Sequence, residues 1–301
     1  MTGAGSATVA FGLEDGFGGS IVDSDSDGSP EYYLPFKNPT VDELSVDNAL
    51  QRERDPGDVE ADGSLAQNFE GGISISGELA EPPKWHELVF NDGGTGFTTG
   101  RMPSGTFFFG VDYLDGTAEW AAEQAVTTDV TVNWQQGQPP TVDWTLIYGN
   151  ASSNMSITPS NIQTPGISDI YAFHGLDLTI DGTTVSKLQS ASLSIPTNAR
   201  FHRDADRHPT DAVIGSVDTT LTTDAIFTGP SNFEAALGGT TPATMLSEVS
   251  GSMTFTNGNG TALTYNLGGM KPNNYSWNQL IDNDNDLQDP VEWHVSSLGV
   301  T

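Results

Sequence analysis

Apolar and polar residues alternate over short runs through most of the chain, and Gly, Asn, Asp and Pro separate the runs. Period-two alternation bounded by turn residues is the mark of half-buried strands. It predicts strands at Gly72–Ser76, Thr106–Tyr113, Asp129–Trp134 and Thr141–Tyr148 in the first half. In the second half it predicts Leu176–Ile180, Ala191–Ile195, Val249–Phe255, Ala262–Leu267 and Pro290–Val295. Helical signals are few. Glu81–Phe90 opens with prolines suited to a first helical turn and stops at Asp92-Gly93-Gly94. Ser231–Leu237 opens on a serine in capping position, carries Glu234 three residues on, and stops at Gly238-Gly239.

These elements recur in one order. Leu44-Ser45-Val46 matches Leu193-Ser194-Ile195 at a separation of 149 residues, and Val142-Asp143-Trp144 matches Val291-Glu292-Trp293 at the same separation. Between the anchors each half runs through a polar, arginine-bearing stretch, a glycine, a strand, a short helix and a Gly-Gly stop. The expectation is two tandem β domains, residues 1–155 and 156–301, joined near Asn150–Gly166, a stretch without apolar periodicity. The expected fold class is all-β with one short helix per domain.

Charge narrows the classes. Asp and Glu number 40 against 10 Lys and Arg, a net charge of -30 over 301 residues, and cysteine is absent. So acidic a chain is a poor holder of nucleic acid through phosphate contacts. Without cysteine there are no disulfides, thiolate metal sites or cysteine nucleophiles. With 36% apolar residues and 34 glycines the composition is that of folded, turn-rich structure rather than disorder. Self-repulsion at this charge destabilises a compact fold in dilute buffer, whereas at about 1 M salt the Debye length is only about 3 Å. A carboxylate-rich, lysine-poor surface points to a salt-rich cytoplasm such as that of haloarchaea. The start, MTGAGSATVAFG, lacks the basic and apolar regions of a secretory signal, and no apolar run is long enough to span a membrane as a helix.

Chemical motifs are sparse. Asp23, Asp25 and Asp27, with Gly28 and then Glu31, match the start of a calcium loop at positions 1, 3, 5, 6 and 9. Position 12 is Leu34 where a bidentate Glu belongs, so the alternatives are a looser Ca2+, Mg2+ or Na+ site and a solvated acidic loop. Asp282–Asp286 alternates oxygen ligands without the glycine. His202 and His208 lie near Asp204 and Asp206, but Arg203 and Arg207 in the same stretch repel a cation. No nucleophile elbow, phosphate-cradling loop or zinc-protease helix is present, and no catalytic residue or resident cofactor is expected. Trp134, Trp144, Trp277 and Trp293 offer either a carbohydrate platform or strand-face packing.

The opening Ala7–Gly18 (ATVAFGLEDGFG), then Tyr32–Phe36 (YYLPF), the arginine loop at Arg52 and Arg54, the Gly-rich strand Gly71–Ser76 and the short helix Trp85–Phe90 together resemble the tail tube (major tail) proteins of long-tailed viruses. The acidic insertion Asp23–Gly28 and the extreme charge depart from the family pattern; with them the resemblance is to a haloarchaeal type. It implies a non-enzymatic virion protein, assembled in the host cytoplasm, whose β-sandwich joins neighbours in a ring-shaped β-barrel. Rings stack into a tube that DNA traverses, and other tail proteins meet the tube ends. A duplicated subunit implies three chains in a pseudo-hexameric ring; the alternative is a homohexamer. Five of six arginines (Arg52, Arg54, Arg200, Arg203 and Arg207) fall in two corresponding loops, and the expectation is that they anchor subunit contacts. The competing reading from another class is a secreted or cell-surface carbohydrate-binding or adhesive β-sandwich.

Overall fold

The structure, a computed structural model, describes residues 7–24, 29–57, 59–60, 63–113, 116–153, 162–278, 280 and 286–301. It is mostly β with two short α-helices among the described residues. The first half contains β1 (Ala7–Leu13), β2 (Tyr32–Tyr33), β3 (Lys37–Asp47), β4 (Gln51–Glu53), β5 (Gly63–Leu65), β6 (Glu70–Glu78), α1 (His86–Val89), β7 (Gly105–Tyr113), β8 (Gly116–Gln135), β9 (Thr141–Tyr148) and β10 (Asn150–Ser153). The second half contains β11 (Ile162–Gln163), β12 (Asp177–Ile180), β13 (Thr183–Thr184), β14 (Leu188–Pro196), β15 (Arg200–His202), β16 (Asp211–Val213) and β17 (Thr220–Ala225). It continues through α2 (Ser231–Leu237), β18 (Val249–Thr256), β19 (Ala262–Tyr275), β20 (Val291–His294) and β21 (Ser297–Val300). Each strand expected from alternation coincides with one of these, although Leu176–Ile180 and Pro290–Val295 overrun β12 and β20 by a residue at one or both ends.

One long strand organises each half by serving two sheets. The first part of β8 pairs with β7 and β10, and its second part, from Val126, pairs with β9. β19 behaves likewise: it pairs with β18 and β21 up to Met270, and with β20 from Lys271. One sheet of the first half is therefore β1-β7-β8-β10 and the other is β3-β6-β9-β8. In the second half the corresponding sequences are β12-β18-β19-β21 and β14-β17-β20-β19. The alternating apolar residues of facing sheets meet between them: Trp144 of β9 lies edge-on to Phe11 of β1 and Phe107 of β7, at ring-centroid distances of 5.7 and 5.3 Å. Phe11, Phe107, Trp144, Leu193, Phe255 and Tyr265 are fully buried in one continuous core that spans both halves.

The matched anchors behave differently from one another. Trp144 lies opposite Ile75 and Trp293 opposite Leu221, in the same place in the two sheets. Leu221 in turn faces Leu193, but Ile75 faces Val41, and Leu44 faces Ile73. Val41 thus holds the place that Leu193 occupies, and Leu44 lies two paired positions along, kept on the inward face because the bulge between Val41 and Glu43 absorbs one residue.

The helices are shorter or differently capped than the sequence suggests. Around α1, the N–H groups of His86, Glu87 and Leu88 reach carbonyls three residues back, and only Phe90 N–H reaches four residues back to His86. Proline at 82 and 83 supplies no N–H, so the segment starts as tight turns. Ser231 is the first helical residue of α2; Pro230 holds the cap position and makes no side-chain cap bond. Gly238 ends α2 with φ 79°, the left-handed conformation that glycine adopts without penalty. The stretch read as a linker is structured where it is described, since Asn150–Ser153 pairs with β8 and Ile162–Gln163 lies parallel to β2.

Candidate functional site

The two halves meet along a strand seam. β14 lies antiparallel to the second part of β8, in step from Ser190 opposite Gln135 to Pro196 opposite Asp129. One antiparallel sheet therefore runs β3-β6-β9-β8-β14-β17-β20-β19. Its inner face packs on the core. Its outer face is polar, and a ladder of Ser192, Asn133 and Asp143 crosses the seam with bonds of 2.8 and 2.7 Å. The ends of this sheet are β3 and the Lys271–Tyr275 part of β19. Among the described residues each has a strand on one side only.

Side-chain exposure records that difference. In β14, flanked on both sides, Leu193 and Ile195 are 0% exposed. In β3, Val41 and Val46 are 39% and 44% exposed, and Leu44 is half-buried. An unpaired apolar edge is a template for another strand.

Helix, loop and connecting segment reinforce the internal seam. His86 of α1 is buried, and its Nε2 lies 2.9 Å from the Tyr265 hydroxyl of β19. Burial pushes its pKa down to about 3. Burial also raises the Tyr265 hydroxyl well above its ordinary range. The loop after α1 crosses to β21, where Val300 N–H donates to Thr95 O at 2.8 Å. Farther on, Arg101 pairs with Asp211 at 2.6 Å. Tyr171, fully buried between the halves, donates its hydroxyl to Glu81 at 2.6 Å and packs on Phe255. Trp134 Nε1 donates to Phe173 O at 2.9 Å.

The arginines divide. Arg203 donates to Phe69 O and Glu70, at 3.0 and 2.9 Å, and Arg207 to Gln67 O and Asn48, both at 2.9 Å. Both therefore hold the β15–β16 hairpin against the first half of the same chain. Arg52 lies on the exposed β4–β5 hairpin, Arg54 is exposed just after β4, and Arg200 is exposed on β15.

Of the ion-site residues, Asp25 and Asp27 lie outside the described residues, as does most of the Asp282–Asp286 run. Glu31 accepts from Ser24 and from the Tyr33 hydroxyl, and these bonds hold its carboxyl below the usual range. No group of three or more His, Asp or Glu side chains converges among the described residues. His208 is occupied by Gly149 O at 3.0 Å. The four tryptophans form no platform: Trp134, Trp144 and Trp293 are buried, and only Trp277 is exposed, at 43%. The edge β3 was missed as a site. Its signal was present in Leu44-Ser45-Val46, whose apolar positions mark a strand but not whether a neighbour covers it.

A family model described as "Phage tail tube protein" matches residues 4–295. No curated protein sequence matches the chain. Among solved structures there is a partial likeness to a chain in the cryo-EM structure of the anti-feeding prophage (AFP) baseplate, 6-fold symmetrised. The identity is 10%, the match covers 58% of this chain and 92% of that one, and the TM-score is 0.28.

Proposed function

This chain belongs to the phage tail tube protein family, a structural component of the virion tail and not an enzyme, and from that premise we propose how its rings close. The two halves act as two copies of one tube unit, residues 1–155 and 156–301, and three chains make a pseudo-hexameric ring. The observation that carries this reading is the pair of unmatched edges at opposite ends of the sheet that contains the β8–β14 seam. The Lys271–Tyr275 edge of one chain takes β3 of the next, as β8 takes β14 within the chain. Tyr275 occupies in β19 the place of Val132 in β8, and Pro272 that of Val130. Since Val132 faces Leu193 and Val130 faces Ile195, the proposed register sets Tyr275 against Val41 and Pro272 against Leu44 of the neighbour. The Lys271 ammonium then comes among Glu43 and Asp47, opposite charges at the joint.

The heterologous contact closes because repetition of the same rotation completes a ring. The polar outer face of the sheet, with Ser192, Asn133 and Asp143, lines the lumen through which DNA passes. Its serine, threonine, asparagine and carboxylate side chains give phosphates little to bind, and the Lys271 ammonium at the joint is held among carboxylates. Arg54, just after β4, stands where Arg203 stands just after β15, and with Arg52 of the same hairpin it grips the preceding chain. Stacked rings form the tube, with other tail proteins at its ends. The charge of -30 supports a haloarchaeal host, in whose salt the self-repulsion is screened.

Electron microscopy of the purified protein, in molar and in dilute salt, tests the reading. Rings of three chains with a central channel are expected, assembling in molar salt. Rings of six chains overturn the stoichiometry, and a chain that stays monomeric at every salt concentration overturns the assembly.

A further inference from the structure

Beside the edge strand β3, the first half carries an open apolar groove of about 430 Å3, lined by Leu44, Phe109, Val111, Ala118, Trp120 and Ala151. The indole N–H of Trp120 is buried with no acceptor among the described residues. An apolar groove with one orphaned donor is built for a segment that brings apolar side chains and a carbonyl. At the corresponding place in the second half Phe255, Leu263 and Val300 are buried, and the opening of about 440 Å3 beyond them is walled by Tyr171 and Phe173 of the connecting segment as well as by Thr256, Asn257 and Gly258. There the loop after α1 lies across β21, with Thr95 O accepting from Val300 N–H, and His86 of α1 meets Tyr265.

The element that corresponds to α1 in the second half is α2, which only skirts the end of β19: Phe233 meets the rings of Tyr275 and Trp277 at 5.7 and 5.5 Å, and Asn232 donates to Asp289 at 2.8 Å. None of its residues is buried, although α1 buries His86, Leu88 and Val89. Phe233 of α2 is 37% exposed, and Met245 in the loop that follows is 84% exposed. Among the described residues the chain thus presents a shallowly seated helix and an exposed loop at one end and an open groove at the other.

We infer that α2 and the loop through Met245 of one copy seat in the Leu44–Phe109–Trp120 groove of a second copy. The occupant is a second copy because the internal seam already shows the same helix-and-loop arrangement covering the same part of a half. The groove also adjoins the edge that the ring requires. Met245 fills the groove between Phe109 and Val111, where a flexible thioether suits aromatic walls. A carbonyl of the entering loop takes the Trp120 indole N–H, the role that Thr95 O plays toward Val300. This second clamp rests on the ring reading and adds to it a contact that strand pairing alone does not require.

The absence of cysteine makes the test clean. A118C and M245C chains are mixed in molar salt and treated with a short bis-maleimide, so that only contacts between copies join them. A parallel mixture of S45C and K271C chains reports the strand edge. A covalent dimer from both mixtures is expected, together with loss of rings in M245D while the thermal midpoint of its monomer stays unchanged. If the edge pair links and the groove pair does not, the groove inference falls and the ring reading stands. If neither pair links and no rings form, both fall.

Discussion

β3 and β14 are corresponding strands with opposite fates. Each carries inward apolar residues and outward polar ones, and each pairs on one side with the strand that follows its hairpin. β14 has β8 on its other side and buries Leu193 and Ile195; β3 has no second neighbour among the described residues and leaves Val41 and Val46 exposed. The lesson is that burial at these positions follows from the neighbour and not from the strand itself. A strand whose apolar residues lack a second neighbour among the described residues is the place to test for the proposed ring contact.

The largest effect should come from trimming the same chemistry on both strands. Leu193→Ala is expected to cost about 2–5 kcal/mol in urea unfolding, the usual range for a core leucine. Leu44→Ala should cost the isolated chain well under half of that but reduce ring formation. Equal losses of monomer stability in the two variants would break the comparison. Next comes acid. His86 has a folded pKa of about 3, below its unfolded value near 6.5, so the unfolded chain binds the extra proton between those limits. Its stabilising contribution is complete above pH 6.5 and is lost as the pH falls toward 3, by up to about 1.4 kcal/mol per pH unit. His86→Gln should flatten the acid limb of the stability curve, while Asn232→Gln in the corresponding α2 should leave it in place.

Smaller effects separate the two hairpins. Arg203→Ala is expected to destabilise the single chain by about 1–2 kcal/mol, because it removes bonds to Phe69 O and Glu70. Arg54→Ala should leave the chain's unfolding midpoint unchanged and raise the protein concentration at which rings appear. A stability loss for Arg54→Ala in dilute monomer would count against its assembly role. The smallest is Tyr171→Phe, worth about 1 kcal/mol for the bond to Glu81, measured by thermal unfolding.

Much of the fold was legible because strand alternation is a local signal. Thr141–Tyr148 alternates cleanly, and its inward Val142, Trp144, Leu146 and Tyr148 are all fully buried. Length was harder to read: Asp129–Trp134 announced a strand, but β8 begins at Gly116. Its first part runs Ala-Glu-Trp-Ala-Ala-Glu, where small alanines under the aromatic residues of β7 blur the period. Of Lys37–Asp47 only Leu44-Ser45-Val46 carries a strand signal, since Pro39, two bulges and three carboxylates interrupt the rest of the pattern. The arginines were visible as a pair of clusters, yet no local pattern says that Arg203 reaches Glu70 across 133 positions. Contacts between remote segments depend on how the sheets close, which no window of sequence contains.

The continuous backbone of β8 through two sheets has a consequence for fidelity. A slip of one residue against β7 would turn every side chain on that face over. The same slip would travel along the strand and push Val130, Val132 and Trp134 out of the core, breaking step with β9 and β14 together. A wrong alignment in one sheet is therefore rejected by the other, so the strand proofreads its own assembly.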